Sequence, residues 1–283
     1  MKTLMTFGCS WTFGVGANYM PGMTKEEYHD IAWNEDAEKN SFRTLLSRKY
    51  NLNNVNFSQG GSSNQRQFRQ IEDEFLFQQN FKNCYNQVKD ESWPDFIEFD
   101  KLPTEIQDEC INQHNLRPPV KPDYVLWAIT STARNEVWSL EDNNYHNFFY
   151  HHPDKFSKFW LKNIYSHTEE LNNLTRKMIL WNDYFKYHGI KNLWVDTFNI
   201  HSYPADIDNL IRPYDLLSGM ISQVQEVEPL APETYHTSDW KNDNQFINTA
   251  LELGLVNPIS LHPTVEGHQR IADFLSPYLE DLL

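Results

Sequence analysis

An α/β fold with a mostly parallel sheet and helices on both faces is predicted by three features. Short apolar runs of strand length alternate with amphipathic helical stretches. Several of those runs end in Gly, Ser or Asn, as strand-to-helix turns require. One run, Tyr-Val-Leu-Trp-Ala-Ile after Asp123, is apolar throughout, which suits a strand covered on both sides.

Taken in chain order, residues 2 to 8 form an apolar run ending in Gly8 and predict the first strand. A loop rich in Gly and Met follows. Residues 40 to 50 put Phe42, Leu45 and Leu46 on one helical face, with Asn40 or Ser41 as N-cap, and predict a crossover helix. Asn54 to Ser58 predicts a second strand, closed by Gly60-Gly61-Ser62-Ser63-Asn64, from which a helix runs through Phe68, Ile71 and Phe75. Residues 80 to 120 lack periodicity and are expected to form an insertion. The third strand starts at Tyr124, and a polar, aromatic loop region follows it. Leu171, Leu174, Met178, Trp181 and Phe185 fall at helical spacing between Thr168 and His188, with Gly189 as the stop. Asn192 to Phe198 predicts the fourth strand, residues 199 to 256 a second insertion, and Thr264 to Leu283 a closing amphipathic helix. The expected organisation is one domain over residues 1–283.

Composition bounds the function. A length of 283 residues with 40% hydrophobic side chains can bury a sizeable core, and a formal charge of -15 repels phosphate backbones and anionic lipid. No nucleic-acid or membrane partner is therefore expected, and a soluble, cytoplasmic-type protein without a signal peptide is. Cys9, Cys84 and Cys110 have spacings that fit neither a disulfide framework nor a zinc site, and Cys9 reads as a buried thiol at a strand end. His146, His151, His152 and Asp154 cluster in sequence, but adjacent histidines usually point apart, so loop packing rather than metal binding is expected. Gly14-Val15-Gly16 lacks the third glycine of a dinucleotide fingerprint, since Tyr19 stands there. No metal or cofactor is expected.

The chemistry-bearing residues lie at predicted strand ends and at the start of the last helix. Phe7-Gly8-Cys9-Ser10-Trp11 offers a hydroxyl in a turn leaving a strand, the geometry of an exposed nucleophile. Around Gly60 and Gly61, bare backbone amides could approach a substrate oxygen. Leu261-His262-Pro263-Thr264 places an imidazole just before a helix, where it can serve as general base. His268 is expected to face solvent or to cap locally. In a parallel α/β sheet these segments converge on the crevice at the carboxyl ends of the strands.

This set resembles the SGNH (GDSL-like) hydrolase family, whose first block is Gly-Asp-Ser and whose last is Asp-x-x-His-Pro, and the order and spacing match along nearly the whole chain. Gly8-Cys9-Ser10 is similar to the first block with Cys9 in place of Asp, and Gly61, five residues after Asn56, to the oxyanion glycine of the second. The third block, Gly-x-Asn-Asp, falls on Thr130-Ser131-Thr132-Ala133, which lacks the donating amide. A hydroxyl of Thr130, Ser131 or Thr132, or the amide of Asn135, is expected to replace it. Ile259 occupies the place of the triad acid. A backbone carbonyl, or an acid such as Asp239 or Asp243, would then orient His262.

The resemblance implies a flavodoxin-like three-layer α/β/α sandwich with two long loop insertions. It also implies a serine esterase acting on a small or glycan ester, with Ser10 and His262 catalytic and Ser10, Gly61, Thr132 and Ser131 around the oxyanion. Aromatics of the insertions, such as Trp93 and Trp138, could flank a sugar. A catalytically degenerate carbohydrate-binding or structural module is the alternative, and an acyltransferase through the same serine is a third reading.

Overall fold

The structure is a computed structural model, and it describes residues 1–75, 122–139, 144–149, 155–197, 200–226 and 245–283. These fall in two compact units. One comprises Met1–Gln67 with Pro122–Leu283, and the other Phe68–Lys121. Of the second unit, the described part is the end of one helix, and the expected insertion at 80–120 lies outside the described residues.

The first unit is built on a parallel sheet. Strands β1 (Thr3–Phe7), β2 (Asn53–Asn56), β3 (Tyr124–Ile129) and β6 (Lys191–Asp196) are ordered β2-β1-β3-β6, so the chain starts inside the sheet and winds outward in both directions. Register is fixed by pairs such as Thr6 with Asn56, Phe7 with Trp127, and Ile129 with Asp196. Strands β4 (Arg134–Ser139) and β5 (Asn144–Phe149) form a separate antiparallel pair in the region expected to be a polar, aromatic loop.

Side-chain alternation explains the layers. Leu4, Leu126, Ala128, Leu193 and Val195 belong to one buried cluster with Phe42 and Leu46 of helix α4 (Phe42–Lys49) and Ile271, Leu275 and Leu279 of α10 (Val265–Leu282). Their odd or even neighbours point the other way. Phe7, Trp127 and Trp194 stack in a row, with ring centroids 4.6 and 4.7 Å apart, and Phe185 of α7 (His167–Tyr187) lies 6.5 Å from Trp194. Helices on both faces of a parallel sheet make the α/β architecture. Each such ring or branched side chain removed from water contributes roughly 1.5–3 kcal/mol.

Expected elements appear close to their sequence bounds, including α5 (Asn64–Phe75) after the double glycine. Shorter helices were not foreseen: α1 (Ser10–Phe13), α2 (Lys25–Ile31), α3 (Glu35–Lys39) and α6 (Lys155–Asn163). The stretch 199–256, read as an insertion, carries α8 (Leu216–Ser222) and α9 (Gln245–Glu252), whose Leu216, Leu217, Met220, Ile221, Ile247 and Ala250 join the first core cluster. His268 is a correction. It is fully buried, with its ring 6.0 Å from Phe42, because it shares the inward stripe of α10 with Ile271, Ala272 and Leu275. No described helix is long and apolar enough to cross a membrane.

Candidate active site

Ser10 is the first residue of α1, which leaves β1 after a two-residue turn. Gly8 makes that turn possible, because a Cβ there would overlap the Thr12 side chain. The first N–H groups of a helix find no helical carbonyl and are left to meet a ligand or solvent. Cys9 is buried, as expected for a strand-end thiol. At the other end of α1, buried Arg43 donates to the carbonyls of Thr12 at 3.1 Å and Phe13 at 3.3 Å, and pairs with Glu38 at 2.5 Å. Burial lowers the Arg43 pKa and the Glu38 carboxylate opposes the shift. The pair pins the helix that presents Ser10.

His262 approaches from the far end of the sequence. Its Nε2 lies 2.7 Å from Oγ of Ser10, joining residues 252 positions apart, and Ser10 is 7% exposed. The loop that carries His262 is tightly held. Asn257 N and Nδ2 each donate to the His262 carbonyl at 2.9 Å, and Leu261 N donates to the Asn257 carbonyl at 3.0 Å. Leu261 takes φ 59° to close the turn, a left-handed conformation that costs a non-glycine residue roughly 1–2 kcal/mol. Gly16, at φ 100°, lets the chain after α1 pass against His262, where a Cβ would strike the Pro263 carbonyl and the His262 side chain.

Behind the imidazole, Nδ1 faces Oγ of Ser260 at 2.9 Å. That hydroxyl also meets the Tyr28 hydroxyl at 2.7 Å and Oδ1 of Asn257 at 3.1 Å. Ile259, at the place of the triad acid, packs beside the small apolar cluster of Val15, Tyr28 and Ala32. Asp239 and Asp243 lie outside the described residues. Ser260, Asn257 and Tyr28 were missed by sequence reading. The only local signal is Asn257-Pro258, a turn former, and nothing in the sequence links it to Tyr28.

The loop after β2 runs alongside the Ser10 turn, since Gln59 N donates to the Gly8 carbonyl at 3.2 Å. Gly61 has φ 69°, and Gly60 lies under the indole of Trp33, where a Cβ would collide with the ring. Trp33 is half exposed and 5.6 Å from Phe13 of α1. Asn64, at the start of α5, holds the end of β3 with both ends of its amide: Oδ1 accepts from Thr130 N at 2.9 Å and Nδ2 donates to Thr130 O at 2.8 Å. Of the expected hydroxyl donors, Thr132 lies 3.0 Å from both the Tyr165 hydroxyl and Nδ1 of His167, while Ser131 Oγ accepts from Ala133 N at 3.2 Å. Both hydroxyls are thus engaged locally. The Asn135 side chain, and the residues of the His151–Asp154 cluster, lie outside the described residues.

Asp196, buried at the end of β6, is saturated by its own loop. It accepts from His201 N at 3.1 Å, the Tyr203 hydroxyl at 2.7 Å and Arg212 at 2.8 Å. Burial, with the Asp196 charge beside it, holds the Tyr203 hydroxyl well above its ordinary pKa. The group organises the 200–212 segment rather than offering a free acid.

No protein-family model matches the sequence, and no curated protein matches it. Among solved structures, the chain is similar to the acetyl xylan esterase Est2A from the rumen bacterium Butyrivibrio proteoclasticus, at 12% identity and a TM-score of 0.42, covering 99% of this chain and 64% of that one. It is similar to a family two carbohydrate esterase from Cellvibrio japonicus at 15% identity and a TM-score of 0.39, covering 99% and 61%. It is also similar to a protein described as a lipolytic protein of the G-D-S-L family from Desulfitobacterium hafniense, at 9% identity and a TM-score of 0.38, covering 98% and 99%. The chain spans less than two thirds of the length of the first two.

Proposed function

We propose that this chain is a serine hydrolase of the SGNH type, a single domain with two insertions, that cleaves a small or carbohydrate ester. The observation that carries the reading is the 2.7 Å contact between Ser10 Oγ and His262 Nε2 at the carboxyl end of β1. A hydroxyl in a strand-to-helix turn with an imidazole nitrogen in hydrogen-bond reach is the pairing that nucleophilic acyl transfer needs.

In that mechanism Ser10 Oγ bonds to the ester carbonyl carbon while its proton passes to Nε2 of His262. The negative oxygen is received by the N–H groups of Ser10 and Gly61, with Ser131 and Thr132 on the β3 side of the crevice. Collapse breaks the bond to the alcohol oxygen, which takes the proton back from Nε2. A water gives its proton to the same nitrogen as it attacks the acyl carbon; the bond to Ser10 Oγ then breaks, that oxygen takes the proton back from Nε2, and the acid leaves. The half-exposed Trp33 beside the Gly60 loop presents a flat apolar face suited to a sugar ring, which supports a glycan ester as substrate.

Intact-mass analysis after exposure to a fluorophosphonate tests this reading, with the native chain, Ser10→Ala and His262→Ala compared. One adduct on the native chain and none on either variant is the expected result. An unlabelled native chain under conditions that label a control serine esterase would sink the proposal and favour a binding module.

A further inference from the structure

The geometry points to Ser260 as the positioning residue of His262: a neutral relay of Ser260, Tyr28 and Asn257 fixes the ring in its Nδ1–H form. The inference deepens the esterase reading and rests on it for its catalytic meaning, but the proton assignment stands on hydrogen bonding alone.

Asn257 anchors the assignment. Its Oδ1 accepts from Ile259 N at 3.2 Å and Ser260 N at 2.9 Å, while its Nδ2 donates to the His262 carbonyl at 2.9 Å. Those backbone partners have fixed roles, so the amide has one orientation and Oδ1 is an acceptor. The Ser260 hydroxyl, 3.1 Å away, can direct its single proton there. Tyr28 is buried, and its proton needs an acceptor, which Ser260 Oγ supplies at 2.7 Å. Only with the Ser260 proton directed at Asn257 and Nδ1 of His262 donating across 2.9 Å does each of the three contacts of that oxygen have a proton between its atoms; otherwise the oxygens of Ser260 and Asn257 face each other at 3.1 Å with none. With Nδ1 donating, the oxygen accepts twice and donates once, its full complement.

The consequence falls on the other nitrogen. A neutral imidazole with its proton on Nδ1 leaves Nε2 bare, and Nε2 is the atom 2.7 Å from Ser10. The ring is thereby ready to take the serine proton without first exchanging its own. The reverse arrangement, with Ser260 donating to Nδ1, would put hydrogen on Nε2 and leave the ring unable to act as base. It would also take the Ser260 proton away from Asn257 Oδ1. The supports come from two segments far apart in sequence, Tyr28 from α2 and Asn257 with Ser260 from the 257–260 turn, so the ring plane as well as the tautomer is set.

Long-range 1H–15N correlation spectra of histidine-labelled protein near pH 8 test the assignment, with the His262 signals identified by their loss in His262→Ala. The native chain is expected to show a protonated Nδ1 and a bare Nε2 at His262. Ser260→Ala is expected to move His262 toward the Nε2–H form and to slow fluorophosphonate labelling by about 10²- to 10⁴-fold, the range that a positioned general base contributes. Ser260→Thr, which keeps the hydroxyl, restores both. Tyr28→Phe provides a second variant should Ser260→Ala not fold, with a smaller shift in the same direction. An Nε2–H ring in the native chain, or a Ser260→Ala variant with unchanged tautomer and labelling rate, overturns the inference. If the native chain fails to label yet its His262 is Nδ1–H and shifts in Ser260→Ala, the positioning role stands and the esterase reading alone falls.

Discussion

The Ser260 hydroxyl and the Ser10 hydroxyl contact opposite nitrogens of His262, at 2.9 Å from Nδ1 and 2.7 Å from Nε2. In the proposed mechanism the hydroxyl at Nδ1 takes the orienting place that a carboxylate holds in a Ser-His-Asp triad. Loss of the right tautomer costs a Ser–His pair about 10⁴-fold in rate.

Gly16→Ala should uncouple the pair without substituting either member. The substitution forces a Cβ into the Pro263 carbonyl and the His262 side chain at a position of φ 100°. Displacing the imidazole by about 1 Å is expected to lower the labelling rate roughly 10²-fold. A variant that labels at the native rate would show that the His262 loop can yield without losing alignment.

Arg43→Met should loosen the serine from the other side. It removes the donors to the Thr12 and Phe13 carbonyls and leaves Glu38 without its 2.5 Å partner. Glu38 is 40% exposed and can rehydrate, so the destabilisation is expected at about 2–3 kcal/mol, toward the lower end for a broken buried pair. Urea unfolding of the two proteins measures it. A loss under about 0.5 kcal/mol, the range of ordinary surface changes, would mean that water replaces the guanidinium without cost.

Two buried groups give stability opposite pH slopes. Asp215 caps α8 through Ser218 N and Oγ, each at 2.7 Å, and burial pushes its carboxyl from 3.8 up to about 7. The folded state therefore holds a proton that the unfolded chain releases between those values, and this contribution is complete below 3.8 and lost as pH rises through about 7. His268 runs the other way. Burial pushes it from 6.5 down to about 3, so its contribution is complete above 6.5 and lost as pH falls toward 3. Asp215→Asn, which retains a capping oxygen, should gain on the native chain between pH 5 and pH 8 in thermal melts. Equal differences at both pH values would show that the Asp215 carboxyl ionises freely.

Where local patterns decide structure, the sequence was readable. The continuous run from Tyr124 to Ile129 is a strand buried on both faces, and the stripe from Leu171 to Phe185 is helical. The hidden helices α8 and α9 are 7 and 8 residues long, short enough for polar flanks to mask their inner faces. Thr24 and Glu27 form a capping box at the start of α2, a local signal that was present and not used. For the candidate site, turn and helix-start settings single out Ser10 and His262, whose side chains meet at 2.7 Å, but not the group behind the ring. Side chains from positions 28, 257 and 260 meet there only through tertiary folding, and residue spacing alone carries no trace of such a meeting.

The two ends of the chain share one pole of the sheet. Lys2, just before β1, reaches the Leu283 carbonyl at 3.5 Å, and Lys191 at the start of β6 bonds to the Leu282 carbonyl. Ser10 lies past the far end of β1, about 17 Å away at the rise of a five-residue strand. A tag, surface tether or fused polypeptide joined at either terminus thus departs from the pole of the sheet opposite Ser10, and anchoring the protein there leaves Ser10 and His262 at the far end.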